Sequence, residues 1–216
     1  MNLNIWNVLA KLEEKSKLER SGKMVLPREE MMLAITYETG LFFNILLKVM
    51  KAKRVLEIGT SSGYSSLWII EALLQNTISN NRENQRSDKA LITIENDPTK
   101  IEKASSNFYS AGVTDKIDIR KGAALDILHS LAGTFENNEP FDFIFIDADK
   151  ENLKEYFDLV LPMINVGGVI ATDNVLYPED YRPTMTSFIN YIRTKPNLQS
   201  VTVPIGHGEE ITTKCR

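Results

Sequence analysis

The hydrophobic residues of this 216-residue chain follow two patterns that change near residue 50. In the first part Ile5, Leu9 and Leu12 recur at helical spacing and give an N-terminal helix one apolar edge. That edge packs either on its own domain or on a second subunit, and the pattern leaves both open. Pro27 followed by REEMMLAI predicts the start of a further helix, because Pro suits the first helical position and acids favour the first turn. After Gly40, LFFNILLKVM predicts a second helical stretch, so a helical segment over about residues 1–50 is expected.

Short apolar runs then alternate with longer helical patterns. Five runs predict strands: RVLEIG (54–59), ALITIE (90–95), KIDIR (116–120), FDFIFID (141–147) and GGVIATD (167–173). Because most of these runs are apolar without alternation, we expect strands that are covered on both faces, as in a parallel sheet. The tail segments LQSVTVPIG and EEITTKC flank GHGE, which predicts a closing antiparallel hairpin at the sheet edge.

The helices between these strands complete the predicted fold. They are SSLWIIEALL, PTKIEKASSNFYSAG, AALDILHSLAG and NLKEYFDLVLPMI, the second with Asp97 as N-cap and Pro98 at the first helical position. The polar stretch 75–89 is predicted to be a solvated loop. The expected fold class is α/β: one domain over residues 1–216 with a Rossmann-like, doubly wound, mostly parallel seven-stranded sheet, a C-terminal antiparallel hairpin and helices on both faces.

Composition narrows the function classes. The formal net charge is −4 at pH 7 and no dense Lys/Arg stripe offsets it, so nucleic acid is not expected as a partner. The single cysteine, Cys215, excludes an intrachain disulfide and fits a reducing compartment. No apolar run reaches the roughly 18 residues of a membrane helix, and the N-terminus lacks the apolar core of a signal peptide. A cytoplasmic protein without membrane association is therefore expected.

Acids collect at the ends of the predicted strands, where open α/β sheets bind their ligands. Glu57 precedes a turn bracketed by Gly59 and Gly63 in LEIGTSSGYS, and Glu95 ends the second strand. The dinucleotide fingerprint has a third glycine and holds a pyrophosphate, whereas this turn lacks that glycine and follows a carboxylate. Carboxylates there suit ribose hydroxyls, which favours a nucleoside ligand without phosphates. Any parallel sheet, however, needs glycines after its first strand.

A second group of polar side chains follows the fourth and fifth strands. Asp147, Asp149 and Lys150 follow one, and Asp173 and Asn174 follow the other. Oxygen ligands without histidine or thiol suit Mg²⁺ better than Zn²⁺, so Asp147, Asp173 and Asn174 are candidate metal ligands. The alternative is that Asp173 and Asn174 only shape a turn. Lys150 beside a cation would lose its proton more readily and is a candidate general base; the alternative is a plain ion pair with a neighbouring acid.

Five stretches together closely resemble the cation-dependent O-methyltransferases, the family of caffeoyl-CoA and catechol O-methyltransferase: LEIGTSSGYS, TIEND, KGAALDIL, FIFIDADK and TDNVLY. The resemblance runs from about Leu33 to the C-terminus. It implies S-adenosylmethionine as cofactor, a divalent cation (Mg²⁺, with Mn²⁺ and Ca²⁺ as alternatives), a small phenolic substrate of the catechol or vicinal-diol type, and a homodimer.

The resemblance also implies roles for individual residues. Glu95 would hold the ribose, Ala124 would lie by the adenine, and Asp149 near the amino-acid end of the cofactor. The implied cofactor contacts are Leu33, Ile35, Glu57, Gly59, Tyr64, Ser65, Glu95, Ala124, Asp147, Asp149 and Tyr156. Asp147, Asp173 and Asn174 match the metal ligands, and Lys150 with Asp147 the catalytic residues.

One segment departs from the family pattern, and two other functions stay open. PEDYRPTMTSF, after Tyr177, is short where plant relatives carry a substrate-covering insertion, which favours small diols over a CoA ester. An NAD-dependent oxidoreductase on a related fold is disfavoured by the missing third glycine and by the predicted metal ligands. A non-catalytic nucleoside-binding scaffold protein, in which the acids are structural, is the other alternative.

Overall fold

A computed structural model of the chain describes residues 2–27, 30–79, 90–135 and 139–216. Its strands form one sheet in the order β3-β2-β1-β4-β5-β7-β6. The strands are β1 (Val55–Ile58), β2 (Leu91–Glu95), β3 (Ile117–Lys121), β4 (Phe141–Ile146), β5 (Ile164–Thr172), β6 (Leu198–Val203) and β7 (Glu209–Lys214). The helices are α1 (Leu3–Arg20), α2 (Tyr37–Met50), α3 (Tyr64–Ser79), α4 (Pro98–Ala111), α5 (Ala124–Gly133), α6 (Leu153–Val160) and α7 (Arg182–Arg193).

The predicted fold class is confirmed. Strands β1 to β5 pair in parallel, whereas β7 pairs antiparallel with both β5 and β6 and so forms the expected hairpin at the edge. Alternate residues of the central strands enter two separate hydrophobic clusters: Val55 and Phe143 face helices α1 to α4, and Leu56 and Ile144 face α5 to α7. Both faces of the sheet are therefore covered, which explains the uninterrupted apolar runs.

Local signals fixed the start of α4 as predicted. The Asp97 side chain accepts hydrogen bonds from the backbone N–H groups of Thr99 (2.8 Å) and Lys100 (3.2 Å), and Pro98 occupies the first turn. Asp97 satisfies donors that have no partner within the helix, while Pro98 has no N–H to satisfy.

The apolar edge of α1 packs on its own chain. Ile5, Leu9 and Leu12 are buried in the cluster shared with α2, α3 and α4. Burial within the chain thus resolves the alternative that the pattern left open for this edge. The homodimer stays a prediction.

The prediction of a helix that starts at Pro27 is wrong for the residues that the structure describes after position 29. Residues 28 and 29 lie outside the described part of the chain, but Met32 to Ile35 form no helix, and α2 begins only at Tyr37 with Thr36 as its N-cap. Tertiary contacts hold this stretch: the Met32 N–H donates to Glu19 Oε2 (3.0 Å), and the Met32 carbonyl accepts from the Ser61 hydroxyl. These contacts override the local helical preference.

Two further boundaries differ from the sequence prediction. The first residues of the predicted loop 75–89 belong to α3, which runs to Ser79, and residues 80–89 lie outside the described structure. Within PEDYRPTMTSF, Glu179–Tyr181 form a short 3-10 turn, and α7 begins at Arg182, with Met185, Phe188 and Ile192 buried at helical spacing. None of the helices described is long and apolar enough to span a membrane.

Candidate active site

The turn after β1 brings two strand ends into contact. Gly59 has a φ of 105°, and a Cβ built on it would lie 2.0 Å from the Asp147 carbonyl oxygen at the end of β4. Gly63 has a φ of 82°, and a Cβ there would lie 2.5 Å from the ring of Phe108. Only glycine combines this backbone conformation with such close approach. The glycine spacing is therefore required by the geometry of the site.

Glu57 lies beneath this turn and is fully buried. Its carboxylate accepts hydrogen bonds from the hydroxyls of Ser65 (2.5 Å) and Ser66 at the start of α3, and of Thr93 (2.7 Å) on β2. Burial raises the pKa of Glu57 to about 7, although the three hydroxyls oppose the shift. In the structure Glu57 thus fixes the first turn of α3. A direct contact between Glu57 and a ribose stays a prediction.

Glu95 has different surroundings from Glu57. Its carboxylate accepts from the backbone N–H groups of Ser61 (2.8 Å), Asn96 (2.9 Å) and Asp97 (3.0 Å). The acid at the end of β2 therefore lies directly beside the turn after β1. That is the place expected for a group that holds a ribose, although the two acids do not form the matched pair that the sequence suggested.

The segment from Met32 to Thr36 lies against the same turn through the contact between Ser61 and Met32. Leu33 is 46% exposed and has a φ of 46°, whereas Ile35 is buried. Of the two predicted cofactor contacts in this segment, Leu33 is thus the accessible one.

Three more predicted cofactor contacts lie at helix starts. Tyr64 begins α3, but its hydroxyl donates to Glu13 of α1 (2.7 Å), and its side chain is buried. Ser65 donates to Glu57. Ala124 is the half-buried first residue of α5. Two of these side chains, Tyr64 and Ser65, therefore make contacts within the protein that shape the turn.

Asp149 and Tyr156 form a pair beyond the end of β4. The Tyr156 hydroxyl donates to Asp149 Oδ2, while Asp149 Oδ1 accepts from the backbone N–H (3.1 Å) and the side-chain amide (2.8 Å) of Asn152. Burial and the Asp149 carboxylate raise the pKa of Tyr156, so the phenol keeps its proton and remains a donor. The structure thus brings these two predicted contacts together.

The predicted catalytic and metal residues gather at the ends of β4 and β5. Lys150 Nζ lies 3.9 Å from Asp147 Oδ1 and 3.4 Å from the backbone carbonyl oxygen of Asp173, with 8% of the lysine side chain exposed. Burial and the Asp173 carboxylate raise the pKa of Asp147, and Lys150 opposes the shift. Burial also raises the pKa of Asp173. The two carboxylates therefore repel each other in a site with little solvent.

Asn174 completes this group in a strained conformation. Its φ of 66° is left-handed, and its backbone N–H donates to Asp173 Oδ1 (2.5 Å). Asn tolerates this region better than most residues. The conformation fits both a shaped turn and a ligand position, so the ligand role stays a prediction.

Sequence reasoning missed Glu209, the first residue of β7. It is fully buried, and its side chain contacts the Asp173 carboxyl. Burial and the charges of Asp173 and Asp147 raise the pKa of Glu209 well above its usual range, and Lys150 opposes them. The signal was an acid directly after the Gly-rich turn GHG, which the hairpin prediction had placed at the sheet edge.

Two aromatic side chains pack on each other between the end of β5 and the start of β7. The rings of Tyr177 and His207 lie with centroids 5.4 Å apart and tilted by 34°. Burial and Arg20 lower the pKa of His207, against the opposing charge of Asp147.

A cavity of about 390 Å³ lies beside Lys150, between α6 and α7, and includes Lys154 and Phe188 in its lining. The space next to Lys150 is thus large enough for part of a small ligand.

The donor chemistry fits a divalent cation. In the described ranges, no three Asp, Glu, His or Cys side chains are arranged as a complete metal-binding group, and the predicted set relies on the amide of Asn174. Asp147 and Asp173 nevertheless lie beside the one ammonium group of Lys150, and Glu209 lies next to Asp173. Hard oxygen donors with excess negative charge suit a cation such as Mg²⁺.

Comparisons with known proteins agree with the resemblance in the sequence motifs. A family model described as O-methyltransferase matches residues 10–214. The catechol O-methyltransferase of Niastella koreensis is 38% identical over 144 residues, 67% of this chain and 59% of that protein, so the match spans about three fifths of its length. The caffeoyl-CoA O-methyltransferase of Mesembryanthemum crystallinum is 31% identical over 200 residues, 86% of this chain and 73% of that protein.

A solved structure extends the agreement to three dimensions. The O-methyltransferase TomG from Streptomyces achromogenes, in complex with S-adenosylmethionine, superposes with a TM-score of 0.75 at 27% identity, covering 97% of this chain and 90% of that one. The chain therefore belongs to the O-methyltransferase family, together with relatives named catechol and caffeoyl-CoA O-methyltransferase.

Proposed function

We propose that this protein transfers a methyl group from S-adenosylmethionine to one hydroxyl of a small catechol-like or vicinal-diol phenol, with the help of a divalent cation. The observation that carries the proposal is the position of Lys150, which is buried beside Asp147 and Asp173 at the same edge of the sheet as the turn at Gly59. A methyl donor, a cation and a base would meet there. The alternative as an oxidoreductase has no comparable observation in its favour.

Residues around the turn after β1 would form the binding site for the methyl donor. Glu95 presents a carboxylate beside the turn, where it can accept from two ribose hydroxyls. Gly59 lets the turn approach closely, and Glu57 holds the first turn of α3 through Ser65 and Ser66. S-adenosylmethionine, when bound, supplies the methyl group on a positively charged sulfur. The acidic surroundings of the site favour that charge.

Asp147, Asp173 and Asn174 are the residues that would hold a cation on the acceptor side. A divalent cation there would supply positive charge that favours ionisation of a phenolic hydroxyl. Lys150 is the residue placed to take the proton from that hydroxyl. Tyr177 and His207, whose rings pack on each other, would offer an aromatic surface to the ring of the acceptor. The fixed positions of these groups would orient the hydroxyl in line with the methyl carbon.

A direct test is turnover. The protein would be incubated with S-adenosylmethionine and a panel of catechols, with Mg²⁺ or with a chelator, and methylated product measured. We expect product that depends on Mg²⁺ and is lost in Asp147→Ala. Asp158→Ala is the matched control, because Asp158 lies on α6 and pairs with Tyr191 and Lys195 near the surface.

Two outcomes would remove the proposal. One is no turnover on any diol; the other is turnover that neither the chelator nor Asp147→Ala reduces. Calorimetric titration with S-adenosylmethionine and with NAD separates the enzyme classes, since binding of NAD alone would favour the oxidoreductase alternative.

A further inference from the structure

Glu209 is a buried carboxylate without a hydrogen-bond donor. Its side chain has no exposed surface, and neither Oε1 nor Oε2 receives an N–H or O–H from the residues that the structure describes. Its polar contact is the carboxyl of Asp173, with which it can share one proton but which brings no further donor. Buried carboxylates normally carry several donors, because removing a charge from water without them is costly.

The neighbouring Glu210 shows what a satisfied carboxylate looks like on the same strand. It is equally buried, but it accepts from Arg193 Nη2 (3.0 Å), Ser200 Oγ (2.5 Å) and Thr202 Oγ1 (2.5 Å). Successive side chains of a strand point to opposite faces. The two acids therefore differ in surroundings and not in depth, and only Glu209 faces the candidate active site.

Strand pairing fixes Glu209 at that place. Thr172 of β5 lies opposite Glu210 of β7, so the antiparallel register puts Glu209 next to Asp173. The turn before Glu209 is also fixed: the Val175 N–H donates to the Gly208 carbonyl oxygen (3.0 Å), and a Cβ on Gly208 would lie 2.5 Å from Leu176. The carboxylate is thus held against Asp173 by backbone on both sides.

We propose that Glu209 supports the divalent-cation site from beside Asp173 and strengthens cation binding through that residue. The inference rests on the cation dependence proposed above. The Glu209 side chain lies next to Asp173, and its oxygens accept no hydrogen bond from the described residues, so a cation held by Asp173 would be the positive charge that this buried acid supports. Burial of an apolar residue at this position would cost less free energy than burial of a carboxyl group. The presence of Glu209 therefore indicates that it interacts with a positive charge.

The test measures cation binding without turnover. Mn²⁺ would be titrated into the full chain, and free Mn²⁺ followed by electron paramagnetic resonance. For Glu209→Gln we expect the Kd for Mn²⁺ to rise about tenfold or more, the range typical of groups that support metal ligands. Glu210→Gln, the matched control, should leave this Kd unchanged. Glu209→Asp, which keeps the charge on a shorter side chain, should recover part of the affinity.

Thermal unfolding separates this role from a structural one. Without Mn²⁺, Glu209→Gln should unfold at nearly the same temperature as wild type, because no N–H or O–H of the described residues donates to the side chain that is replaced. The rise in Tm that Mn²⁺ produces should be smaller in Glu209→Gln than in wild type. A purely structural role would change the first value and leave the second as it is.

The outcomes distinguish the two proposals. If wild type binds Mn²⁺ and Glu209→Gln binds it equally well, the role of Glu209 is refuted while the cation site stands. If wild type binds no Mn²⁺ and its methyl transfer survives a chelator, the cation site and the role of Glu209 are refuted together.

Discussion

The α-carbon of Gly59 and the carbonyl oxygen of Asp147 are in direct contact across the ends of β1 and β4, so close that a Cβ would lie 2.0 Å from that oxygen. Gly59→Ala must push the two strand ends apart and must also adopt a φ of 105°. We expect a loss of about 3 kcal/mol in the free energy of unfolding, together with loss of S-adenosylmethionine binding. Urea unfolding and calorimetric titration measure the two effects.

Gly133→Ala is the control for that substitution. Gly133 ends α5, and a Cβ there would have no atom within 4 Å. The variant should be unchanged or up to about 1 kcal/mol more stable, because alanine favours a helix. If Gly59→Ala were as stable as Gly133→Ala, the close packing of the two strand ends would be disproved.

Glu57 should make stability depend on pH. Its pKa is about 7 in the folded chain and 4.5 in an ordinary carboxyl, so folding favours the protonated acid. Stability from this group is therefore fully present below pH 4.5 and is lost as the pH rises through 7. Between pH 5 and pH 8, wild type should lose about 2 to 3 kcal/mol relative to Glu57→Gln.

Urea unfolding of both proteins at several pH values provides this measurement. Asp147, Asp173 and Glu209 titrate in both proteins, so the difference isolates Glu57. A difference that is constant from pH 5 to pH 8 would mean that Glu57 does not hold its proton in the folded chain.

Tyr156 should affect the cofactor through Asp149. Tyr156→Phe removes the hydroxyl that donates to Asp149 Oδ2 and leaves the bonds from Asn152 to the other oxygen. With about 1 kcal/mol for one such bond, the Kd for S-adenosylmethionine should rise about fivefold. Tyr191→Phe breaks a similar bond to Asp158 away from the site and should leave this Kd unchanged. Equal affinities in both variants would contradict a cofactor role for Asp149.

Lys150 should act in the chemical step. Lys150→Met preserves the volume of the buried stem but removes the ammonium group 3.9 Å from Asp147. Single-turnover rates should fall by about 10²- to 10⁴-fold, while affinity for S-adenosylmethionine stays close to wild type. Lys154→Met, an exposed neighbour beside the same cavity, is the control and should retain its rate. Rates in Lys150→Met that match wild type across pH would show that Lys150 is not the base.

The central strands and the acids at their ends could be predicted from the sequence, because burial on both faces of the sheet determines the composition of each strand. A parallel strand that is covered on both faces is mostly apolar along its length. FDFIFI and LITIE show this pattern and could therefore be predicted as central strands. Because such strands end at one edge of the sheet, Asp147 and Asp173 had to meet wherever their strands were neighbours. Asp97 and Pro98 predicted the start of α4, because helix capping depends only on residues that are close in the sequence.

Tertiary structure alone decided the features that depend on partners distant in the chain. Met32 is not helical because Glu19 and Ser61 bind its backbone, and Glu57 is tied to α3 because two serines face it there. Glu209 reaches Asp173 only through the antiparallel pairing of β7 with β5. Sequence patterns report periodicity and local capping, whereas which buried acid meets which partner depends on strand order and register, and these are set by packing over the whole sheet.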